Sequence, residues 1–125
     1  MIASARESLS TDSRCRLFLA NEDLPVADYS VASGIFNVRL DYPEGEWRDH
    51  VIETLRLMHR KSTKGFAFNV LTGYSDPDRR EARLYYADPC LFFDLCKREF
   101  SRNVALLHDY GLFEFTLLVR QDAPR

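Results

Sequence analysis

Three cysteines and three histidines are the side chains best suited to nucleophilic or metal chemistry, and their spacing limits what they can do. Cys15, Cys90 and Cys96 contain no C-x-x-C pair. On a helix, six positions place Cys90 and Cys96 about 240° apart around the axis, so they cannot reach one ion from the same face. An odd, unclustered set reads as buried structural thiols in a reducing compartment rather than as a disulfide framework. His50, His59 and His108 form no H-x-x-x-H pair, which argues against a dedicated zinc site. Asp76, Asp78 and Glu81 share one loop without the glycine and ligand spacing of an EF-hand. The chain has no P-loop, G-x-G-x-x-G or G-x-S-x-G motif. These absences lead to an expectation of no metal and no cofactor, with an enzyme the less favoured class, since its site would have to assemble from distant residues.

A basic cluster runs through Arg56, His59, Arg60, Lys61 and Lys64. It falls at the end of an expected helix, where cations complement the dipole, and it could also contact phosphate. Lys97, Arg98 and Arg102 lie beside Glu99 and read as a solvated face. Lys64-Gly65-Phe66-Ala67-Phe68 resembles the RNP1 core of the RNA recognition motif family, and Leu17-Phe18-Leu19-Ala20-Asn21 resembles its RNP2 strand. The resemblance spans about ten residues. It implies strand aromatics stacked on bases at an open sheet face. The local alternation instead turns Phe66 and Phe68 toward the helices.

The elements that would position these residues follow from periodicity. Arg14–Asn21 reads as a short strand, with Cys15, Leu17 and Leu19 on one face. Residues 22–33 read as a connection containing Pro25. Ile35–Asp41 alternates as a half-buried strand. From Glu46 to Lys61, Trp47, Val51, Leu55 and Met58 form one helical stripe. Lys64–Thr72 is a strand, and Ala82–Ala87 pairs with it as a hairpin across the Asp76-Pro77 turn. Asp88-Pro89 opens a second helix with a favoured N-cap and first-turn proline, read as running on toward Tyr110. Leu112–Arg120 is the last strand. The order β-α-β-β-α-β resembles the ferredoxin-like split βαβ arrangement: α+β, an antiparallel sheet with two helices on one face, plus an extra N-terminal strand.

The chain has 125 residues, 46% hydrophobic, 13% aromatic and 29% charged. That fits one domain over 14–120, with tails at 1–13 and 121–125, and excludes disorder and fibrous classes. Seventeen basic against nineteen acidic residues give a net charge of −2, which is no general nucleic-acid footprint. No apolar run is long enough for a membrane span, and the first 13 residues lack a signal-peptide core, so a cytoplasmic protein with no membrane partner is expected. The leading functional expectation is a small non-enzymatic protein-binding modulator (an adaptor, inhibitor or immunity-type protein), or a homodimer. It would act through an open sheet face bearing Asn37, Arg39, Asn69, Arg83, Tyr85 and Glu114, with Asp41 and Thr116 beside them. The alternative is a nucleic-acid-binding domain using Arg56, Arg60, Lys61, Lys64, Phe66 and Phe68. A small enzyme whose site the sequence does not locate is the third class.

Overall fold

Large apolar side chains at every second position make Ser62–Leu71 (β2) the spine of the molecule. Phe66, Phe68 and Val70 are buried on one face, while Ala67, Asn69 and Leu71 are half-buried on the other. The computed structural model describes Arg16, Phe18 and residues 23–121. The expected tail at 1–13, the expected strand at 14–21 apart from Arg16 and Phe18, and the residues beyond Gln121 lie outside the described part.

The fold is α+β, with a four-stranded mixed sheet and two helices. Strand β1 is Ala27–Ala32, α1 is Glu44–Lys61, α2 is Pro89–Glu99, β3 is Asn103–Leu107 and β4 is Glu114–Arg120. The strand order is β1-β2-β4-β3. β1 runs parallel to β2, and β4 is antiparallel to both β2 and β3. Strands β1, β2 and β3 therefore all point the same way, and their carboxyl ends share one edge of the sheet. Phe66 pairs with Val119, Phe68 with Leu117 and Val70 with Phe115, so one continuous apolar face results. Val51 and Leu55 of α1 and Phe92 and Cys96 of α2 pack into that same cluster. Both helices thus cover one face of the sheet, as the sequence suggested.

The two helices form for legible reasons. α1 starts with Glu44 and Glu46 and ends with His59, Arg60 and Lys61, complementing its dipole. In α2, the Asp88 carboxylate accepts a hydrogen bond from the Cys90 N–H at 2.9 Å, with Pro89 in the first turn. Arg56 ties the helices together by bonding Glu53 on its own helix at 2.5 Å and Glu99 of α2 at 2.6 Å.

The element order departs from βαββαβ in four places, and the sheet is mixed rather than the expected antiparallel one, because β1 runs parallel to β2. Residues 35–41 are not a strand: Val38 makes only an isolated bridge to Leu84, and Leu40 sits at φ +55°, a left-handed conformation that ends an extended run. Residues 82–87 likewise form bridges rather than a ladder. The long second helix stops at Glu99, because Ser101 turns the chain. Its hydroxyl accepts from the Asn103 N–H at 3.0 Å and donates to the Arg120 carbonyl. The apolar run that follows is β3. The segment read as a connection contains β1, whose core-facing positions Ser30 and Ala32 are small while Tyr29 and Val31 face outward. Among the described residues, no helix is long and apolar enough to cross a membrane.

Candidate functional site

In a sheet with parallel strands, ligands collect where the strands end and the loops begin. Here that edge gathers residues 33–43 after β1, residues 72–88 after β2 and residues 108–113 after β3. Its loops are pinned by side chains. Asn69 accepts from the Gly34 N–H at 2.8 Å and donates to the Ser33 hydroxyl at 3.1 Å. Asn37 accepts from the Leu71 N–H at 3.1 Å. Phe36 is buried edge-on to Phe68, and its carbonyl accepts from the Trp47 indole at 2.9 Å.

The chemistry at this edge centres on His108. Its Nε2 lies 2.8 Å from the Thr72 hydroxyl, and Thr72 is buried. The Tyr74 N–H donates to the same hydroxyl oxygen at 3.2 Å. The His108 ring stacks on Phe115 and meets the Tyr74 ring edge-on. A hydroxyl both donates and accepts, so Thr72 holds the imidazole in place whichever tautomer is present. In the Nε2–H tautomer, Nδ1 is an acceptor for a proton. On the far side of the sheet, the Tyr110 hydroxyl lies 2.8 Å from the Thr116 hydroxyl. This places a second polar group beside Asn69, which is the register partner of Thr116. Thr72 also bridges Ala87, two residues before α2 begins, so the amino end of that helix borders the site.

A second polar hollow lies between Arg39, Glu44, Arg80, Glu81 and Tyr86. Its guanidinium groups are engaged. Arg39 donates to the Leu84 and Tyr42 carbonyls, while Arg80 donates to the Gly73 carbonyl and lies over the Tyr86 ring. Among the described residues, no cluster of His, Cys, Asp and Glu is arranged to hold a metal.

The residues expected on one open face do not assemble there. Asn69, Glu114 and Thr116 lie on the sheet face away from the helices. Asn37 and Arg39 belong to the loop after β1, together with Asp41, and spend their side-chain bonds on backbone. Arg83 is exposed, and its carbonyl accepts from Arg39 and Leu40. Tyr85 is a correction: it is 3% exposed and part of the core, and burial pushes its phenol up to about 12. The residues of the nucleic-acid alternative are dispersed as well. Phe66 and Phe68 are buried beneath the helices, so neither offers a stacking surface. Arg56 is committed to two carboxylates, Lys61 pairs with Asp23 at 3.1 Å, and Lys64 lies 3.9 Å from Asp28. Arg60 is exposed. The sequence reading missed Thr72, Tyr74 and Tyr110, and gave His108 no role. Reading Val104–Leu107 as a strand would have put His108 at a strand end.

Comparison with known proteins adds one finding. Over 95 residues the chain is 61% identical to a protein of Mycobacterium tuberculosis (strain ATCC 25618 / H37Rv) named "Putative methyltransferase Rv1506c". The match takes in 76% of this chain but 57% of the relative, so the chain spans little more than half of that protein's length. No family model matches the chain, and no solved structure does. The similarity corrects the functional expectation. A relative this similar carries the name of an enzyme, which overturns the reading of a non-enzymatic binding modulator and the leaning against catalysis.

Proposed function

We propose that the chain takes part in methyl-group transfer and that the carboxyl edge of its sheet, around His108, receives the methyl acceptor. The observation that carries this reading is the 61% identity to a protein named as a methyltransferase. The geometry supports a defined share of the work. An O–H or N–H acceptor must shed a proton as it is methylated, and a base positioned within hydrogen-bond reach takes it up. His108, fixed by the buried Thr72 hydroxyl and walled by Tyr74 and Phe115, supplies such a base at a strand end.

The described residues do not fit the methyl donor in the same way. Nucleotide-bearing ligands in doubly wound sheets rest on a glycine-rich turn at a helix N-terminus, where only glycine allows backbone contact. Gly34 follows β1, but its N–H is already given to Asn69, and the next helix begins only at Glu44. The reading therefore places the acceptor at this edge and requires the donor to be seated elsewhere on the same chain.

The test is transfer of label from methyl-tritiated S-adenosylmethionine, used as the probe, to a deproteinised metabolite extract of the source cells. Label entering an extractable product in a protein-dependent manner, and at least about ten-fold less with His108→Gln, is the expected result. No transfer above the protein-free blank by folded protein would overturn the reading. Transfer unaffected by His108→Gln would overturn the role of His108.

A further inference from the structure

The approach to β1, β1 itself and the loop behind it expose Leu24, Val26, Tyr29, Val31 and Ile35. Val31 is 77% exposed and Tyr29 63%. β1 ends the strand order and pairs with β2 alone, so among the described residues its outer row of N–H and C=O groups meets no strand. Natural edge strands are guarded by lysine, proline or a covering element, and the sequence of β1, ADYSVA, holds neither lysine nor proline. Parallel strand pairs are ordinarily buried on both faces. Here the face opposite the helices carries an open groove of about 320 Å³ along Tyr29, Val31, Ala67, Ala105 and Leu118.

We propose that this edge pairs with a second copy of the chain, β1 against β1, antiparallel about a two-fold axis at Ser30. The strand is self-complementary in that register. Tyr29 then faces the partner's Val31 on the open side of the sheet, an aromatic and β-branched pair of the kind that stabilises sheets. Asp28, the one charge in the strand, faces the partner's Ala32 rather than its own copy, and already lies 3.9 Å from Lys64. Size agrees as well. The five exposed apolar side chains present on the order of 500 Å² per copy, so the pair removes at most about 1,000 Å², the lower bound for a specific interface. A net charge of −2 per chain sets no long-range barrier to association.

Sedimentation velocity on the full chain at roughly 100 µM tests this. The expected result is a dimer that Val31→Lys weakens by at least about ten-fold, while Leu91→Lys, an exposed site on α2, leaves it intact. Tyr29→Ser serves as a second edge variant should Val31→Lys fail to fold by circular dichroism. A monomeric wild type would overturn the proposal. A dimer that survives both edge variants, or one that Leu91→Lys also dissolves, would equally overturn it.

Discussion

Gly65 offers the sharpest test of the sheet that positions the site. It lies in β2 opposite Arg120, at φ +159°. A Cβ built there would sit 2.4 Å from the Val119 carbonyl oxygen and 3.2 Å from the Arg120 Cα. Both are backbone atoms of the paired strand, so relief requires the β2–β4 ladder itself to part. Overpacking of this kind costs about 1–3 kcal/mol, and forcing a non-glycine residue into a sparsely populated backbone region adds about 1–3 kcal/mol. Gly65→Ala should therefore lose about 2–6 kcal/mol, a large share of a typical total of about 5–15 kcal/mol. In thermal unfolding that is a fall of roughly 10 °C or more. The matched control is Gly45→Ala at the start of α1, where an added Cβ meets nothing within 4 Å. Alanine there should be neutral or stabilise by up to about 1 kcal/mol. Urea unfolding of the three proteins gives both numbers. Gly65→Ala within about 0.5 kcal/mol of wild type would refute the close approach of β2 and β4.

Two further outcomes follow from the helices. The Arg56 guanidinium holds the Glu99 carboxyl below the usual glutamate range. Its contribution is therefore present above the ordinary value of 4.5 and lost as pH falls through the lower folded value. Glu99→Gln should be less stable than wild type at neutral pH, with the difference closing below about pH 4.5, as read by thermal melts across pH. A difference independent of pH would contradict the pair. Burial pushes the Cys96 thiol up to about 12, whereas Cys90 is exposed. Iodoacetamide near pH 8 should label Cys90 and spare Cys96 in the native protein, as mapped by peptide mass, and equal rates would contradict the packing of α2.

Much of this fold was legible because strong periodicity and capping chemistry agree locally. The stripe of Trp47, Val51, Leu55 and Met58, the Asp88-Pro89 cap and the alternation through Phe66, Phe68 and Val70 all mark elements that form. The failures share a physical cause, since alternation reports burial only where one face is apolar and the other polar. β1 reverses that pattern, with small residues inward and Tyr29 and Val31 outward, and so read as a loop. Phe36, Val38 and Leu40 alternate well, yet the backbone turns at Leu40 and leaves Val38 exposed. Val104–Leu107 continues the apolar character of α2, and the stop comes from one hydroxyl, that of Ser101. The site was harder still. His108 and Thr72 are 36 positions apart, and only the parallel direction of β2 and β3 brings their ends together.

The most direct test of the central claim is where the methyl acceptor binds. Once the labelled product of the transfer assay identifies the acceptor, its titration into ¹⁵N-labelled protein should shift the amides of Thr72, Gly73, Tyr74, His108 and Asp109. The histidine ring nitrogens of His108 should move with them, and His50 and His59 should stay still. Shifts confined to the helix end from Arg56 to Lys64, or to the open groove beside β1, would place the acceptor elsewhere and contradict the account.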